Sequence, residues 1–196
     1  MLKGEKTRQF IIERTAPLFN RKGYAGTSMS DIMAVTGLTK GGIYGNFESK
    51  EEVMIAAFQH NLKALRTHFL DVMDNKSTYK EKLIAYPELY KECFQQLMRN
   101  GGCPIQNTAI EADDTHPVLR SMANEALTIW RNEISGFVER GIAVGEFITK
   151  ALSPQQIAVT IIAAIEGAIM VSGVSGQAAD LTLVMDAVTS MIEGLS

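Results

Sequence analysis

Apolar residues recur along this chain at intervals of three and four positions, which is the spacing of amphipathic α-helices. The first apolar stripe contains Ile12, Ala16 and Phe19, and another begins at Val53 and Ala57. The sequence shows no sustained alternation of apolar and polar residues with β-branched and aromatic enrichment, the pattern that indicates β-strands. The pattern therefore predicts an all-α fold.

Polar caps, glycines and prolines divide this pattern into about nine helices. The segments 28–31 and 49–52 have the Ser-x-x-acid spacing of capping boxes, which start helices. Gly23 and Gly37 stand where a residue in the left-handed conformation ends a helix. The predicted helices cover approximately residues 6–22, 29–36, 40–46, 50–74, 79–99, 104–112, 117–140, 154–174 and 178–193.

Two of the short helices have the proportions of a helix-turn-helix, with residues 37–39 as the turn. The second of them, 40–46, contains three glycines, each of which costs a helix roughly 1 kcal/mol relative to alanine. In return, glycines give a surface without side chains that DNA can approach closely. Lys40, Tyr44 and Asn46 project from this surface and can bind phosphate or base edges. The alternative interpretation is a glycine-rich loop between two core helices.

The charge of the chain is unevenly distributed. Residues 1–50 carry eight Lys or Arg and four Asp or Glu, a net charge of +4, whereas the whole chain has a net charge of −3. The remainder of the chain therefore carries −7. This division favours a nucleic-acid partner for the first quarter, although chance scatter of surface charge is the alternative.

Composition limits the class of protein. The 196 residues are 46% hydrophobic and 21% charged, as in ordinary globular proteins of one or two domains. Two cysteines, Cys93 and Cys103, indicate a reduced, cytoplasmic protein. Charged residues in the first 15 positions interrupt the apolar run that a signal peptide needs.

Motifs for catalysis and for cofactors are missing from the sequence, so we expect no enzyme activity and no cofactor. The chain has no phosphate-binding loop, no dinucleotide fingerprint and no nucleophile elbow. His60 and His68 are eight residues apart, not the four that place two metal ligands side by side on a helix. We interpret the acidic cluster of Glu111, Asp113 and Asp114 as a solvated helix cap.

The region from Thr7 to Met54 resembles the DNA-binding head of the tetracycline-repressor (TetR/AcrR-type) regulators. The matching residues are Ala16, Phe19, Gly23-Tyr24, Thr27-Ser28, Ile32, Gly37-Leu38-Thr39, Gly41, Ile43-Tyr44, Phe47 and Ser49-Lys50-Glu51. The resemblance implies a helix-turn-helix DNA-binding domain at residues 1–50, with a C-terminal ligand-binding and dimerisation domain at 51–196. It also implies a homodimer that binds a double-stranded DNA operator and is released by a small-molecule effector.

Carried over residue by residue, the resemblance also implies the DNA contacts. The expected DNA-binding residues are Thr27, Ser28, Thr39, Lys40, Gly41, Gly42, Tyr44, Asn46 and Lys50. Thr27 and Ser28 are expected to contact phosphate, and Tyr44 and Lys50 are expected to hold the DNA backbone. Asn46 departs from the family pattern, in which His or Tyr is common at this position.

Large side chains in the central helices suggest an effector pocket, because such pockets are mostly apolar with a few polar anchors. The candidate ligand-binding residues are Phe69, Tyr90, Phe94, Met98, Cys103, Met122 and Trp130. The expected effector is small and largely apolar, and ordinary core packing is the alternative role for these residues. Two other functions remain open: a redox- or electrophile-sensing repressor that uses Cys103, whose helix-start position can lower a thiol pKa, and a DNA-binding regulator without an inducer.

The segment 157–174 is long and apolar enough to resemble a membrane span. Glu166 lies in its middle, where a carboxylate is costly in lipid, so we predict a buried helix instead. A helix that is apolar on nearly all faces must be covered on all of them. We therefore predict that the last two helices pair with their copies in a two-fold four-helix bundle and that the protein does not enter a membrane.

Overall fold

The structure, a computed structural model, describes residues 3–112, 116–149 and 152–195. Within these ranges it contains nine α-helices and no β-strand, so the predicted all-α fold is confirmed. The helices are α1 Lys3–Gly26, α2 Met29–Thr36, α3 Lys40–Tyr44, α4 Lys50–Met73, α5 Tyr79–Arg99, α6 Pro104–Ala112, α7 Pro117–Ala143, α8 Pro154–Ser175 and α9 Ala178–Glu193. Asp113 and Asp114, part of the predicted cap region, lie outside the described residues.

Local signals in the sequence set most helix ends. Gly23 has φ 71° and interrupts α1 where the helix is predicted to end, and Gly37 closes α2 with φ 68°. Ser28 and Asp31 form the complete capping box at the start of α2. α3 is shorter than predicted and ends at Tyr44.

The predicted capping box at the start of α4 forms only by half. The Glu52 N–H donates to Ser49 Oγ at 3.1 Å, as expected. The Glu52 carboxylate instead accepts from the Glu48 N–H at 2.7 Å and from Arg8 of α1 at 2.8 Å. These two donors hold the pKa of the Glu52 carboxyl below its usual range. The prediction of a full box is therefore wrong, because the carboxylate bonds one residue upstream and pairs with a cation from another helix.

The chain divides into two compact units, and each is discontinuous in sequence. The first contains the residues up to Leu65 together with Arg99–Ala123. Its core is formed by residues of α1 to α4, with Ala112 and Leu119 from the later segment. This division differs from the expected boundary at residue 50, because α6 packs against α1 and belongs with the helix-turn-helix.

Hydrogen bonds from two asparagine side chains to backbone carbonyls connect α1 to α6 and to the segment that leads into it. Asn20 Nδ2 donates to the carbonyls of Asn100 at 2.7 Å and Gly102 at 2.9 Å. Asn107 Nδ2 donates to the carbonyls of Gly101 at 2.6 Å and Asn20 at 3.0 Å. The two amides therefore satisfy backbone carbonyls that helix ends leave without partners.

The second unit contains Arg66–Met98 and the residues from Asn124 onward. In this unit α8 packs against α9 and buries the predicted isoleucine stripe, Ile157, Ile161, Ile165 and Ile169. The opposite side of α8 stays exposed within the single chain, including Val174 at 87%. By length and composition α8 could cross a membrane, as the sequence indicated, yet one of its faces is packed in the core of this unit.

Candidate nucleic-acid interface

Buried residues and caps fix the geometry of the helix-turn-helix. Ile32 of α2 and Ile43 of α3 are fully buried in the core of the first unit. Between them, the Gly37 N–H donates to the Met33 carbonyl at 2.8 Å, and Thr39 Oγ1 accepts from the Gly42 N–H at 3.1 Å. The turn is therefore short, hydrogen-bonded and anchored by one apolar side chain on each helix.

The outer face of α3 combines polar side chains with bare backbone. Thr39, Lys40, Gly41 and Tyr44 are all exposed, and Tyr44 retains 41% of its accessible surface. Lys40 Nζ lies 5.8 Å from the centroid of the Tyr44 ring. A Cβ built on Gly41 would have no heavy atom within 4 Å. Packing inside the protein therefore does not require glycine at this position.

Gly42 and Asn46 form the inner edge of this face. Asn46 Nδ2 donates to the Gly42 carbonyl at 2.9 Å, so the amide caps the last turn of α3. A Cβ on Gly42 would lie 3.5 Å from Thr39 Oγ1 and 3.6 Å from Leu38 Cβ, which are ordinary contacts. Asn46 thus has a structural role that the sequence did not indicate.

Thr27 and Ser28 differ in their access to solvent. Thr27 is 1% exposed, and its hydroxyl donates to the Gly23 carbonyl at 2.6 Å. Its side chain is therefore buried and already bonded, which argues against the expected phosphate contact. Ser28 is exposed and bonded to Asp31, whose pKa lies well below its usual range because Lys22 and Ser28 donate to the carboxylate.

Lys50 is directed into the protein. Its Nζ donates to the carbonyls of Tyr24 and Thr27, each at 2.8 Å, and lies 4.1 Å from the centroid of the Tyr24 ring. These partners argue against the expected contact of Lys50 with the DNA backbone. Its ammonium instead joins the start of α4 to the segment between α1 and α2.

The residues predicted to form the effector pocket fall into both units. Phe69, Tyr90, Phe94, Met98 and Trp130 belong to the second unit, whereas Cys103 and Met122 belong to the first. Cys103 is fully buried immediately before α6, and Met122 packs against the core of the first unit. Cys103 and Met122 therefore lie in a different unit from the aromatic candidates.

Three of the aromatic candidates of the second unit, Phe69, Tyr90 and Trp130, lie together. Phe69 and Tyr90 have ring centroids 5.1 Å apart, and Tyr90 and Trp130 have centroids 6.1 Å apart. Tyr86, which sequence reasoning missed, joins this cluster and donates its hydroxyl proton to Glu133 at 3.1 Å. Burial, with the Glu133 charge beside it, raises the pKa of Tyr86 far above its usual range.

A cleft of about 450 Å³ opens within the first unit. Its lining comes from α1, α4 and α6 and includes Phe19, Met54, Phe58, Asn61, Asn107 and Glu111. Among the described residues, no cluster of three or more histidine, cysteine or acidic side chains could hold a metal ion.

Two family profiles match this chain. Residues 11–57 match bacterial regulatory proteins of the tetR family, and residues 80–188 match the tetracyclin repressor-like C-terminal domain. The second match alone spans more than half of the sequence. The chain belongs to the TetR family. TetR-family regulators are DNA-binding transcription factors without enzyme activity, so the chain is a regulator and not an enzyme.

Solved TetR-family structures share the whole fold with this chain. A regulator from Cytophaga hutchinsonii is 42% identical, with a TM-score of 0.93, and the match covers 100% of this chain and 98% of the other. A regulator from Chloroflexus aurantiacus J-10-FL is 39% identical, with a TM-score of 0.92, and the match covers 98% and 97%. The HTH-type transcriptional repressor DhaR of Mycobacterium sp. (strain GP1) is 25% identical over 163 residues, which are 83% of this chain and 80% of DhaR.

Proposed function

We propose that this TetR-family regulator is a ligand-responsive repressor that binds a palindromic operator as a homodimer. The observation that carries the proposal is the outer face of α3, where Lys40 and Tyr44 flank exposed glycine backbone. A recognition helix enters the major groove with its N-terminal end, and here that end carries Thr39, Lys40 and Gly41. The proposed contact set therefore keeps the expected residues except the side chains of Thr27 and Lys50.

The exposed apolar side of α8 supports the homodimer. Val159, Met170, Val171 and Val174 are 47% to 87% exposed, and Leu183 of α9 is 69% exposed. A Cβ on Gly167, on the same helix, would meet nothing within 4 Å. Several exposed apolar side chains on two helices that pack against each other are typical of a protein interface. We infer that a second copy covers it and completes the four-helix bundle.

In vitro selection from random duplexes tests the proposal. The protein should enrich a palindrome whose half-sites lie about one helical turn apart. Affinity for that duplex should fall steeply with salt concentration, because phosphate contacts release counterions. Failure to enrich any sequence from the library would refute the proposed function.

Gly41→Ala should separate folding from DNA binding. Because the new Cβ meets no atom of the protein, the variant should fold at least as stably as the wild type, gaining up to about 1 kcal/mol of helix propensity. On the operator the same methyl group should collide with DNA, and we expect affinity to fall about tenfold. Thermal melts and binding titrations against the selected duplex measure the two effects.

The matched control for this substitution is Gly136→Ala in α7, where the neighbour of the added Cβ is the flexible end of Arg140. It should leave operator affinity unchanged. Wild-type operator affinity in Gly41→Ala would show that DNA does not approach α3 closely at this point.

We further propose that the effector is small and largely apolar and binds beside the aromatic cluster of the second unit. Phe69 belongs both to this cluster and to α4, the helix that begins at Lys50. A ligand that displaces Phe69 would therefore act directly on a helix whose first residue holds the segment before α2. Ligand and operator must then weaken each other by the same factor, typically ~5–150-fold.

Trp130 reports on this proposal because it is the single tryptophan of the chain. It is 9% exposed and packs near Tyr86 and Tyr90, so an effector at the cluster should shift its emission. The same compound should release the operator, whereas Trp130→Phe should retain binding by calorimetry and lose the optical signal. Tight binding with unchanged emission and unchanged operator affinity would contradict the proposed site.

Burial of the two cysteines argues against the electrophile-sensing alternative. Cys103 has no exposed surface, and buried thiols are typically inert. Cys93 is half-buried, and burial raises the pKa of its thiol, which lowers the fraction of reactive thiolate at neutral pH. The small-ligand repressor therefore remains the proposal.

A further inference from the structure

One carboxylate in the first unit accepts two backbone N–H groups at the entrance to the helix-turn-helix. Glu111 of α6 accepts from the Tyr24 N–H through Oε2 at 2.9 Å and from the Ala25 N–H through Oε1 at 2.8 Å. These two residues follow Gly23 directly, where α1 is interrupted. Glu111 therefore caps the short last turn of α1 from a different helix, 87 residues along the chain from Tyr24.

Gly23 makes room for this contact. Its φ of 71° turns the chain so that both following N–H groups point at one carboxylate. A Cβ at this position would overlap the Glu111 carboxyl group. A glycine is thus required here both for its backbone conformation and for the approach of α6.

Residues 23–28, which contain the last turn of α1 and lead into α2, form a link that α4 holds from a second direction. Lys50 binds the carbonyls of Tyr24 and Thr27, while Glu111 binds the N–H groups of Tyr24 and Ala25. Ser28, the last residue of the link, is the N-cap of α2. A carboxylate from α6 and an ammonium from α4 therefore set the direction in which the chain leaves α1 and enters α2 and α3.

We propose that Glu111 is a positioning residue for operator recognition, acting through the link and not through contact with DNA. The inference rests on the proposed function. The Ala25 N–H lies at an exposed position, so water can replace the carboxylate and the fold can survive its loss. A recognition element, however, must be held within about 0.5 Å and 10–20° of its productive geometry. Loss of Glu111 should therefore weaken specific binding more than it weakens folding.

Glu111→Gln in the full-length protein tests the role. The amide keeps the size of the side chain but replaces one acceptor oxygen with a donor that faces an N–H group. Amide hydrogen exchange at Tyr24 and Ala25 should accelerate at least tenfold. Affinity for the selected operator should fall at least tenfold, while affinity for a scrambled duplex should change less than twofold.

Two further variants make the result decisive. Glu125→Gln removes the same charge from an exposed position on α7 and should change neither exchange nor affinity. Glu111→Asp keeps the charge on a shorter stem and should restore part of the operator affinity that Glu111→Gln loses.

Each outcome supports or overturns the proposal. The role of Glu111 would be overturned, and the proposed function left standing, if Glu111→Gln kept wild-type operator affinity. The same would follow if it lost equal affinity for operator and scrambled duplex and had a lower melting temperature. Failure of the wild-type protein to enrich any sequence would overturn the proposed function as well. Accelerated exchange confined to the link, with selective loss of operator affinity and partial rescue by Glu111→Asp, would support it.

Discussion

Placing aspartate at Met170 and Leu183 is expected to convert the protein from a dimer to monomers. Both side chains belong to the apolar surface that α8 and α9 leave exposed in one chain, at 53% and 69%. Burial of a carboxylate against a second copy, with no cation beside it, costs several kcal/mol when the substituted residues of both copies are counted. Sedimentation at micromolar concentration should show a dimer for the wild type and a monomer for the double variant.

The loss of the dimer should lower operator affinity by about 100-fold or more. Two linked heads bind a palindrome with an effective concentration that raises avidity by about 10²–10⁴, and monomers lose this gain. Val144→Asp is the matched control, since Val144 is 62% exposed in the turn after α7. It should leave both the assembly and the affinity unchanged. A wild-type protein that sediments as a monomer would contradict the proposed bundle.

Lys50→Ala is expected to destabilise the first unit by about 2 kcal/mol. The substitution removes an ammonium that donates to two carbonyls and packs over the Tyr24 ring, and hydrogen bonds of charged groups contribute about 1.5–3 kcal/mol each before solvent exposure is considered. For a chain of this length the melting temperature should fall by roughly 4–8 °C. Thermal melts followed by circular dichroism measure this change.

Salt dependence distinguishes this role from a contact with DNA. Removal of a lysine that binds phosphate reduces the steepness of log affinity against log salt concentration by about 1. Lys50→Ala should leave that slope unchanged while lowering affinity and stability. Lys40→Ala, at an exposed position on α3, should reduce the slope and leave the melting temperature unchanged. The reverse pattern would return Lys50 to the set of DNA contacts.

Helix positions could be predicted from the sequence because their determinants are local. The Ser28–Asp31 capping box and the left-handed Gly37 each involve residues only a few positions apart, and both predictions are confirmed. The α4 box was only half right because the Glu52 carboxylate accepts from the Glu48 N–H and from Arg8, which lies 44 residues away. Neighbouring residues cannot reveal the pairing with Arg8.

Site residues were harder to predict because their partners are distant. The carbonyls that bind Lys50 lie 23 and 26 residues away in sequence, and an exposed lysine on a basic segment gives the same pattern as a half-buried one. The one sequence signal for the role of Glu111 was the glycine at position 23, and a helix end explains that glycine equally well. The exposure of the outer residues of α3 could be predicted because their pattern, glycines between a lysine and a tyrosine, is contiguous.

The discontinuity of the first unit limits how regulators of this fold can be recombined. The N-terminal family profile ends at residue 57, yet the unit that holds the helix-turn-helix also includes residues 99–123. A chimera that exchanges only the first 57 residues would set the α1 of one protein against the α6 of another. If the transplanted α1 were that of this chain, it would lose Asn107 and Glu111, which it meets on its own α6. A transplanted operator specificity should therefore require that α6 be transplanted with the head.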